Sequence, residues 1–564
     1  MRASHPDQEL IVLGVVAASG DAGRDAHSAR QLRRGIGTAV RKAGLYGERT
    51  IVRTAPSFAA GVRAAVRSAP ASFLVVGWPG QSGAKDDADL ASSPPCDAAF
   101  LRSGEAGDWR RVLVAARGGP QAELALELAL SIGHRYGADI TLMHVERPSS
   151  GEQARQREHR LFQSLLARCR DYPRLHLHTV STEEVSETIV KESQRFDLLV
   201  LGAALASGQP GEGLGEVPER VAAEASCTTV VVKAGTPPDP AIFQAPAPSI
   251  NVLVDRWFAD NTFHCREFSD IGLLVKAKRR ARLTVSLAVM ASEDRGALPN
   301  IVETLRAELQ ERHALLDELV VFDQEGVPLS SATEAPATLS RNGRGPAGAR
   351  PGRAIWNSLG HLKGDIVAWL EGDIRNIHPR MVYGVVGPLL THDGLQYVKG
   401  FYQRPETAND ADFGDGRMQI TELTARPLLN LFFPELSGVV EPLSREHAIR
   451  RSAVEQMPIF AGRGVEVGLL IDAFSRLGLR SIAQSDLESR VGHDLSLNEV
   501  TAQAFSVIQV IMKRLGERHD LHLLSFGQPS MKLILQRDEK YHLELVEAAE
   551  DELPPVAQSV ISIP

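Results

Sequence analysis

No apolar stretch of this 564-residue sequence approaches the ~18 residues that a membrane span requires. An excess of basic charge is also missing. The formal charge of −8 argues against general nucleic-acid binding, which leans on a positive surface. Cysteine is scarce: Cys96, Cys169, Cys227 and Cys265 are the whole set, and their spacing matches no metal-ligand pattern. A reduced, cytoplasmic protein is the expectation. The first residues, "MRASHPDQELIVLGVV", carry acids just ahead of a short apolar run, which predicts a strand rather than a signal peptide. What is present is ordinary globular composition, 43% hydrophobic and 23% charged, in a length that suggests about three or four domains.

The first 235 residues repeat. "FLVVGWPG" (73–80) returns as "LLVLGAAL" (198–205), "CDAAFLRSG" (96–104) as "CTTVVVKAG" (227–235), and "ELIVLGVV" (9–16) as "RRVLVAAR" (110–117). Between such strand runs lie helical patterns. In "AELALELALSIGHRYG" (122–137) apolar residues recur at helical spacing, and Gly137 suits a helix end. Strand–helix alternation predicts parallel sheets covered on both faces, and repetition at this length predicts duplicated domains rather than a solenoid.

"RRVLVAARGGPQAELALELALSIGHRYGADITLMHV", "FDLLVLGA" and "VPERVAAEASCTTVVVK" resemble a universal stress protein domain over about 108–235, and residues 9–104 resemble it more weakly. The resemblance implies a doubly wound fold, pairing of two copies and, in many members, ATP binding. Here the acid of the adenine side is replaced by Arg117. The phosphate loop "GAALASGQPGEGLGE" keeps Gly202 and Gly215 but ends in Glu216. An acid there repels phosphate, which a glycine loop binds through bare backbone N–H groups. No ATP binding is expected, and the pair is read as regulatory or as a packing module.

"AGTPPDPAIFQAPAPS" (234–249) reads as a stiff Pro/Ala spacer. Beyond it the pattern predicts a strand over 282–290, a helix over 298–316, a strand over 317–323, a mobile-composition loop over 326–352 and a strand over 365–373. That last strand ends in "WLEGDIRN", where Glu371 and Asp373 flank Gly372. An apolar run closed by two carboxylates is a way of holding Mg²⁺ or Mn²⁺ with hard oxygen ligands; a solvated turn is the plainer alternative. Ligands of such sheets lie beyond the strands' carboxyl ends.

"HDGLQYVKGFYQRP" (392–405), "TELTARPLLNLFFPELSGVVEPLSREHAIRR" (421–451) and "GVEVGLLIDAFSRLGLRSIAQSDLESRV" (464–491) resemble glucosyl-3-phosphoglycerate synthases over roughly 250–516. The resemblance implies a GT-A fold and metal-assisted, retaining transfer of glucose from UDP-glucose to 3-phosphoglycerate, a route to a compatible solute. On the donor side it implies Ala288, Glu293, Asp323, Arg350 or Arg353, and Glu371 as nucleotide-sugar contacts. In "LAVMASED" (287–294) only Glu293 keeps the family's polar character, and "ARPGRAIW" (349–356) stands for a longer loop whose lysine faces the diphosphate. Asp373 is the expected metal ligand, Glu371 replaces an aspartate, and His493 lies one residue beyond the position of a lost histidine ligand. Asp373 and Glu466 are the catalytic candidates. On the acceptor side it implies Thr421 and Arg490, with Arg445 where the family has glycine.

Simpler roles stand beside these. Asp323 can cap a turn, Arg490 can pair with Glu488 or Asp486, and Glu466 can be a structural acid. The stripe "ARPLLNLFFPEL" (425–436) is core or dimer packing. The expected organisation is α/β throughout: a divergent stress-protein-like domain at 1–107, a second at 108–235, a linker at 236–255, a GT-A domain at 256–516 and an extension at 517–564. The expected assembly is a homodimer. The expected function is the transferase, with a non-catalytic relative acting as a binding or regulatory module as the alternative.

Overall fold

The structure, a computed structural model, describes residues 10–43, 49–78, 85–104, 109–117, 119–149, 160–166, 169, 172–204, 213–235, 249–292, 295–329, 350–403, 416–491, 495–519, 530–537, 540–547 and 550–558, with the side chains of 49, 85–88, 417 and 531–547 excepted. It forms two compact units, one from residues 1–17 and 55–247, the other from 18–54 and 248–564. Among the described residues no helix is long and apolar enough to cross a membrane.

The first unit is built on a seven-stranded sheet in the order Phe73–Gly77, Asp97–Arg102, Thr228–Lys233, Leu198–Gly202, Arg111–Ala115, Asp139–Glu146, Leu175–Ser181. Every neighbouring pair is parallel except Asp97–Arg102 with Thr228–Lys233. That antiparallel seam joins the two repeated "Cys" strands, and its two ends mirror each other. Gly104 N–H donates to Thr228 Oγ1 at 3.2 Å, and Gly235 N–H donates to Asp97 Oδ1 at 2.8 Å. The helix Pro120–Tyr136 stops on Gly137 in the left-handed region (φ 65°, ψ 34°), as its sequence predicts, and starts on a proline at its first turn. Its face of Ala122, Ala125, Leu126, Ala129 and Ile132 is buried. Burying a leucine or isoleucine fully contributes roughly 1.5–3 kcal/mol.

The second unit also holds a seven-stranded sheet, in the order Thr262–His264, Ile482–Asp486, Tyr397–Phe401, His447–Arg450, Ile366–Glu371, Val285–Met290, Glu318–Phe322. Only His447–Arg450 runs against its neighbours. One face packs around Trp257, Trp369, Leu470 and Ile511, the other around Leu298, Leu305, Val386 and Leu389. Two faces of buried apolar residues explain why these strands read as continuous hydrophobic runs rather than alternating ones. The predicted helix over 298–316 is α-helical over Leu298–Leu305 and continues as a π-helix over Arg306–Arg312.

Two segments distant in sequence complete this unit. The helix Ala22–Lys42 lays Arg33 against it: Nε donates to Glu267 Oε2 at 2.6 Å, Nη2 to the Thr262 carbonyl at 2.8 Å, and the guanidinium lies over the Phe263 ring at 4.6 Å. At the other end of the chain, Glu552–Leu553 pairs antiparallel with Ile459–Phe460. Glu550 accepts from the N–H groups of Gly462 and Gly464, and Arg514 binds Asp472 through two bonds of 2.7 and 2.8 Å while also reaching Glu552.

Candidate functional site

The strand Ile366–Glu371 is buried along its whole length and delivers Glu371 to the carboxyl end of the sheet. Gly372 then turns the chain. Its N–H donates to the Met290 carbonyl at 2.8 Å, and a Cβ at this position would stand 2.8 Å from that same oxygen. Glycine is therefore required between the two acids by close approach. Asp373, on the far side of the turn, is buried like Glu371.

Two arginines converge on this pair. Arg490, four residues past the strand Ile482–Asp486, donates Nη2 to Glu371 Oε2 and to Asp373 Oδ1, each at 2.7 Å. Arg445, just ahead of the strand His447–Arg450, donates Nη1 to Glu371 Oε1 and holds Nε 3.3 Å from Glu466 Oε1. Glu466 is the second residue of the helix Val465–Leu477 and is 1% exposed. Its Oε2 is buried with no hydrogen-bond partner among the described residues. Burial pushes its carboxyl above the usual range, and the Arg445 guanidinium only partly offsets this. The sequence candidates Glu371, Asp373, Arg445, Glu466 and Arg490 thus form one cluster.

The other candidates have their printed partners outside this cluster. Thr421 is fully buried and its hydroxyl donates to Glu441. Ala288 lies in the middle of the strand Val285–Met290, inside the core. Asp323 Oδ1 accepts from the N–H groups of Glu325 and Val327 at 2.9 and 2.8 Å, the turn-capping geometry natural to aspartate. Arg350 pairs with Asp551 at 3.2 Å, and Arg353 donates its backbone N–H to the Ala461 carbonyl. Glu293 and His493 lie outside the described residues.

Sequence reasoning missed Lys399. It is 1% exposed in the strand Tyr397–Phe401, and its Nζ donates to the Ser444 carbonyl at 2.8 Å. Burial pulls its ammonium down to about 8, against the pull of Glu466, Glu441 and Glu446. A lysine inside the apolar run "LQYVKGF" was the available signal, since lysine is almost never fully buried without partners.

As a donor set, Glu371 and Asp373 fit a divalent cation: two carboxylates reach one point from a rigid strand and a glycine turn. In this structure the same oxygens accept from guanidinium groups, so the set is chemically suitable and electrostatically satisfied at once.

A mixed sheet of this order, with two acids at the carboxyl end of a central strand and a buried glutamate bridged to them through Arg445, is an α/β fold of the GT-A class. Residues 108–233 match the model of the universal stress protein family. The chain is 36% identical over 301 residues to the glucosyl-3-phosphoglycerate synthase of Petrotoga mobilis, covering 52% of this chain and 93% of that protein. It is 38% identical over 266 residues to the synthase of Mycobacterium tuberculosis strain H37Rv, covering 46% of this chain and 80% of that protein. A crystal structure of the Mycobacterium tuberculosis synthase with Mn²⁺, UDP and phosphoglyceric acid aligns at 31% identity, over 52% of this chain and 97% of that one, with a TM-score of 0.42. The chain belongs to the glucosyl-3-phosphoglycerate synthase family.

Proposed function

We propose that the protein is a retaining glucosyltransferase that moves glucose from UDP-glucose to the 2-hydroxyl of 3-phosphoglycerate or a similar small phosphorylated acid. The observation that carries this is the cluster of Glu371, Asp373, Arg490 and Glu466 at the carboxyl end of the sheet. The named relatives, one of them crystallised with Mn²⁺, UDP and phosphoglyceric acid, support the choice of substrates. Glu371 and Asp373 would hold Mn²⁺ or Mg²⁺, which when bound neutralises charge on a departing diphosphate. Arg490 keeps both carboxylates aimed at one point. Glu466, buried with an unsatisfied oxygen, is suited to accept a hydrogen bond from a sugar or acceptor hydroxyl. Thr421 and Arg490 are proposed on the acceptor side, and Arg350 or Arg353 near the diphosphate.

A second reading has its own observation. Arg445 and Arg490 together engage both oxygens of Glu371, as expected of a non-catalytic relative that kept the scaffold as a binding or regulatory module. Calorimetric titration with UDP-glucose, with and without Mn²⁺, followed by a product assay with 3-phosphoglycerate, separates the two. Saturable binding with turnover supports the transferase, and binding without turnover supports the module.

Residues 108–235 and 256–516 are proposed as the two functional domains, joined by 236–255, with 1–107 a divergent stress-protein-like copy and 517–564 an extension. The antiparallel pairing of Asp97–Arg102 with Thr228–Lys233 supports the second copy. ATP binding is not proposed for this half: the stress-protein resemblance puts Arg117 in place of the adenine-side acid, and Glu216, at the end of the corresponding phosphate loop, opens the helix Glu216–Glu224. Equilibrium dialysis with labelled ATP should show no saturable micromolar binding. A reducing, cytoplasmic setting is supported by four free thiols. Homodimerisation is supported by Leu423 and Leu431, themselves 66% and 70% exposed on the 421–432 helical segment beside its buried Leu429.

A further inference from the structure

Glu371 is the centre of a charge contest. Its Oε1 accepts from Arg445 and its Oε2 from Arg490, so each oxygen a cation would use already has a guanidinium beside it. The three side chains are largely out of water: Glu371 is 12% exposed, Arg490 7% and Arg445 27%. In such surroundings charge-assisted bonds are stronger than at a surface, and a third positive charge brought to the same carboxylate is repelled. Something must yield when a cation arrives. Arg490 is the deeper of the two and also ties down Asp373 at 2.7 Å. Arg445 is the more exposed and contacts only Glu371 of the acid pair, so it is the one with less to lose by moving.

We propose that Arg445 is a built-in competitor of the divalent cation, holding Glu371 against Glu466 until the cation takes its place. The inference rests on the reading that Glu371 and Asp373 hold a cation. Two consequences follow from the bridge that Arg445 makes. Cation affinity is set by the exchange of one positive charge for another, so it is weaker than the two carboxylates alone would give. Cation entry also removes the guanidinium from Glu466, so the metal site and the buried acid change state together. The competition is specific to arginine's reach. A lysine is a point charge and does not span two carboxylates as a guanidinium fork does.

The test is Mn²⁺ binding to the full-length chain, followed by the electron paramagnetic resonance signal of free Mn²⁺ and by calorimetry. Arg445→Gln is expected to bind Mn²⁺ at least about tenfold more tightly than the wild type, the scale of losing one charge-assisted bond. Arg445→Lys is expected to show a smaller gain. Adding Asp373→Ala to Arg445→Gln should abolish the gain, locating it at this site. An unchanged Kd in Arg445→Gln overturns the proposal, as does a gain that survives Asp373→Ala. Should Arg445→Gln lose its cooperative melting transition, Arg445→Lys carries the test, and an unchanged Kd there overturns it equally. Turnover is measured separately. Tighter Mn²⁺ binding with no glucosyl transfer by any variant would sink the transferase reading and leave the competitor standing. Transfer with an Mn²⁺ affinity indifferent to residue 445 would do the reverse.

Discussion

Arg490 Nη2 bridges Glu371 Oε2 and Asp373 Oδ1, 2.7 Å from each. One guanidinium from just past the strand Ile482–Asp486 therefore ties together two carboxylates at the end of the strand Ile366–Glu371 and in the turn after it. All three side chains are buried, so their charges are balanced by one another more than by water.

Removing that guanidinium should be costly. Arg490→Met keeps length and loses charge, taking from two buried carboxylates the guanidinium they share, a loss of about 3–5 kcal/mol. Urea denaturation followed by tryptophan fluorescence measures it. Added Mn²⁺ should restore part of the loss by supplying positive charge at the same oxygens. A loss below about 1 kcal/mol, the scale of an exposed pair, would show that the carboxylates are satisfied without Arg490.

The lengths of the two acids make a second prediction. Glu371→Asp draws the carboxylate back by one methylene, about 1.5 Å of chain, which strains its bond to Arg445 and restores an aspartate pair. UDP-glucose binding in the presence of Mn²⁺ should strengthen several-fold. Asp373→Ala should abolish it. Mn²⁺ should support binding better than Mg²⁺, because Mg²⁺ tolerates displaced ligands poorly. Calorimetry in which Asp373→Ala binds as the wild type does would show that this turn is not the donor site.

His447 gives the fold an acid-sensitive point. Its ring stacks on Trp369 at 5.0 Å, its Nδ1 meets the Arg445 carbonyl at 2.9 Å, and burial beside Lys399 pulls its pKa down to about 3. The unfolded chain takes up this proton near its ordinary value of about 6.5 and the folded chain does not. Stability is thus present above about 6.5 and is lost as pH falls from there toward 3, by at most about 1.4 kcal/mol per pH unit. His447→Phe should flatten that part of the profile. Parallel wild-type and variant melting temperatures between pH 7 and pH 4.5 would contradict it.

Glu550 works in the opposite sense. Burial pushes its carboxyl up to about 7 although it accepts from Gly462 and Gly464. The folded state keeps this proton after the unfolded state has lost it near its ordinary value of about 4.3, so stability falls as pH rises from there toward 7. Glu550→Gln, which cannot ionise, should gain on the wild type in melting temperature between pH 5 and pH 8. A difference between the two that stays constant across that range would rule out this titration.

Much of this architecture is legible in local pattern. Strand–helix alternation announces both α/β units, Gly137 marks its helix end, and the acid pair closes an apolar run, because each is a matter of periodicity or of neighbours in sequence. Partner choice is not. Arg445 and Glu371 are 74 positions apart, and Arg490 and Asp373 are 117, and no spacing rule connects them. Asp323 illustrates a different limit. An aspartate after a strand suits a ligand and a turn equally, and here its oxygen takes two turn N–H groups. The helix Ala22–Lys42 sits by sequence in the first repeat, yet Arg33 spends its hydrogen bonds on Thr262 and Glu267. A charged residue on an amphipathic helix shows that a partner exists without naming it.

The antiparallel seam of the first unit has reciprocal ends: Gly104 binds Thr228, and Gly235 binds Asp97. Between separate molecules such reciprocity is the mark of a two-fold contact, in which any substitution is made twice and association weakens on dilution. Here both partners are stretches of one polypeptide. The pairing is a unimolecular event whose strength is independent of how much protein is present. Its two ends are also free to drift apart chemically, as Asp97 opposite Gly235 and Thr228 opposite Gly104 already have. Asp97→Ala would cut one tie and leave its counterpart intact, an asymmetry that no assembly of identical subunits can acquire.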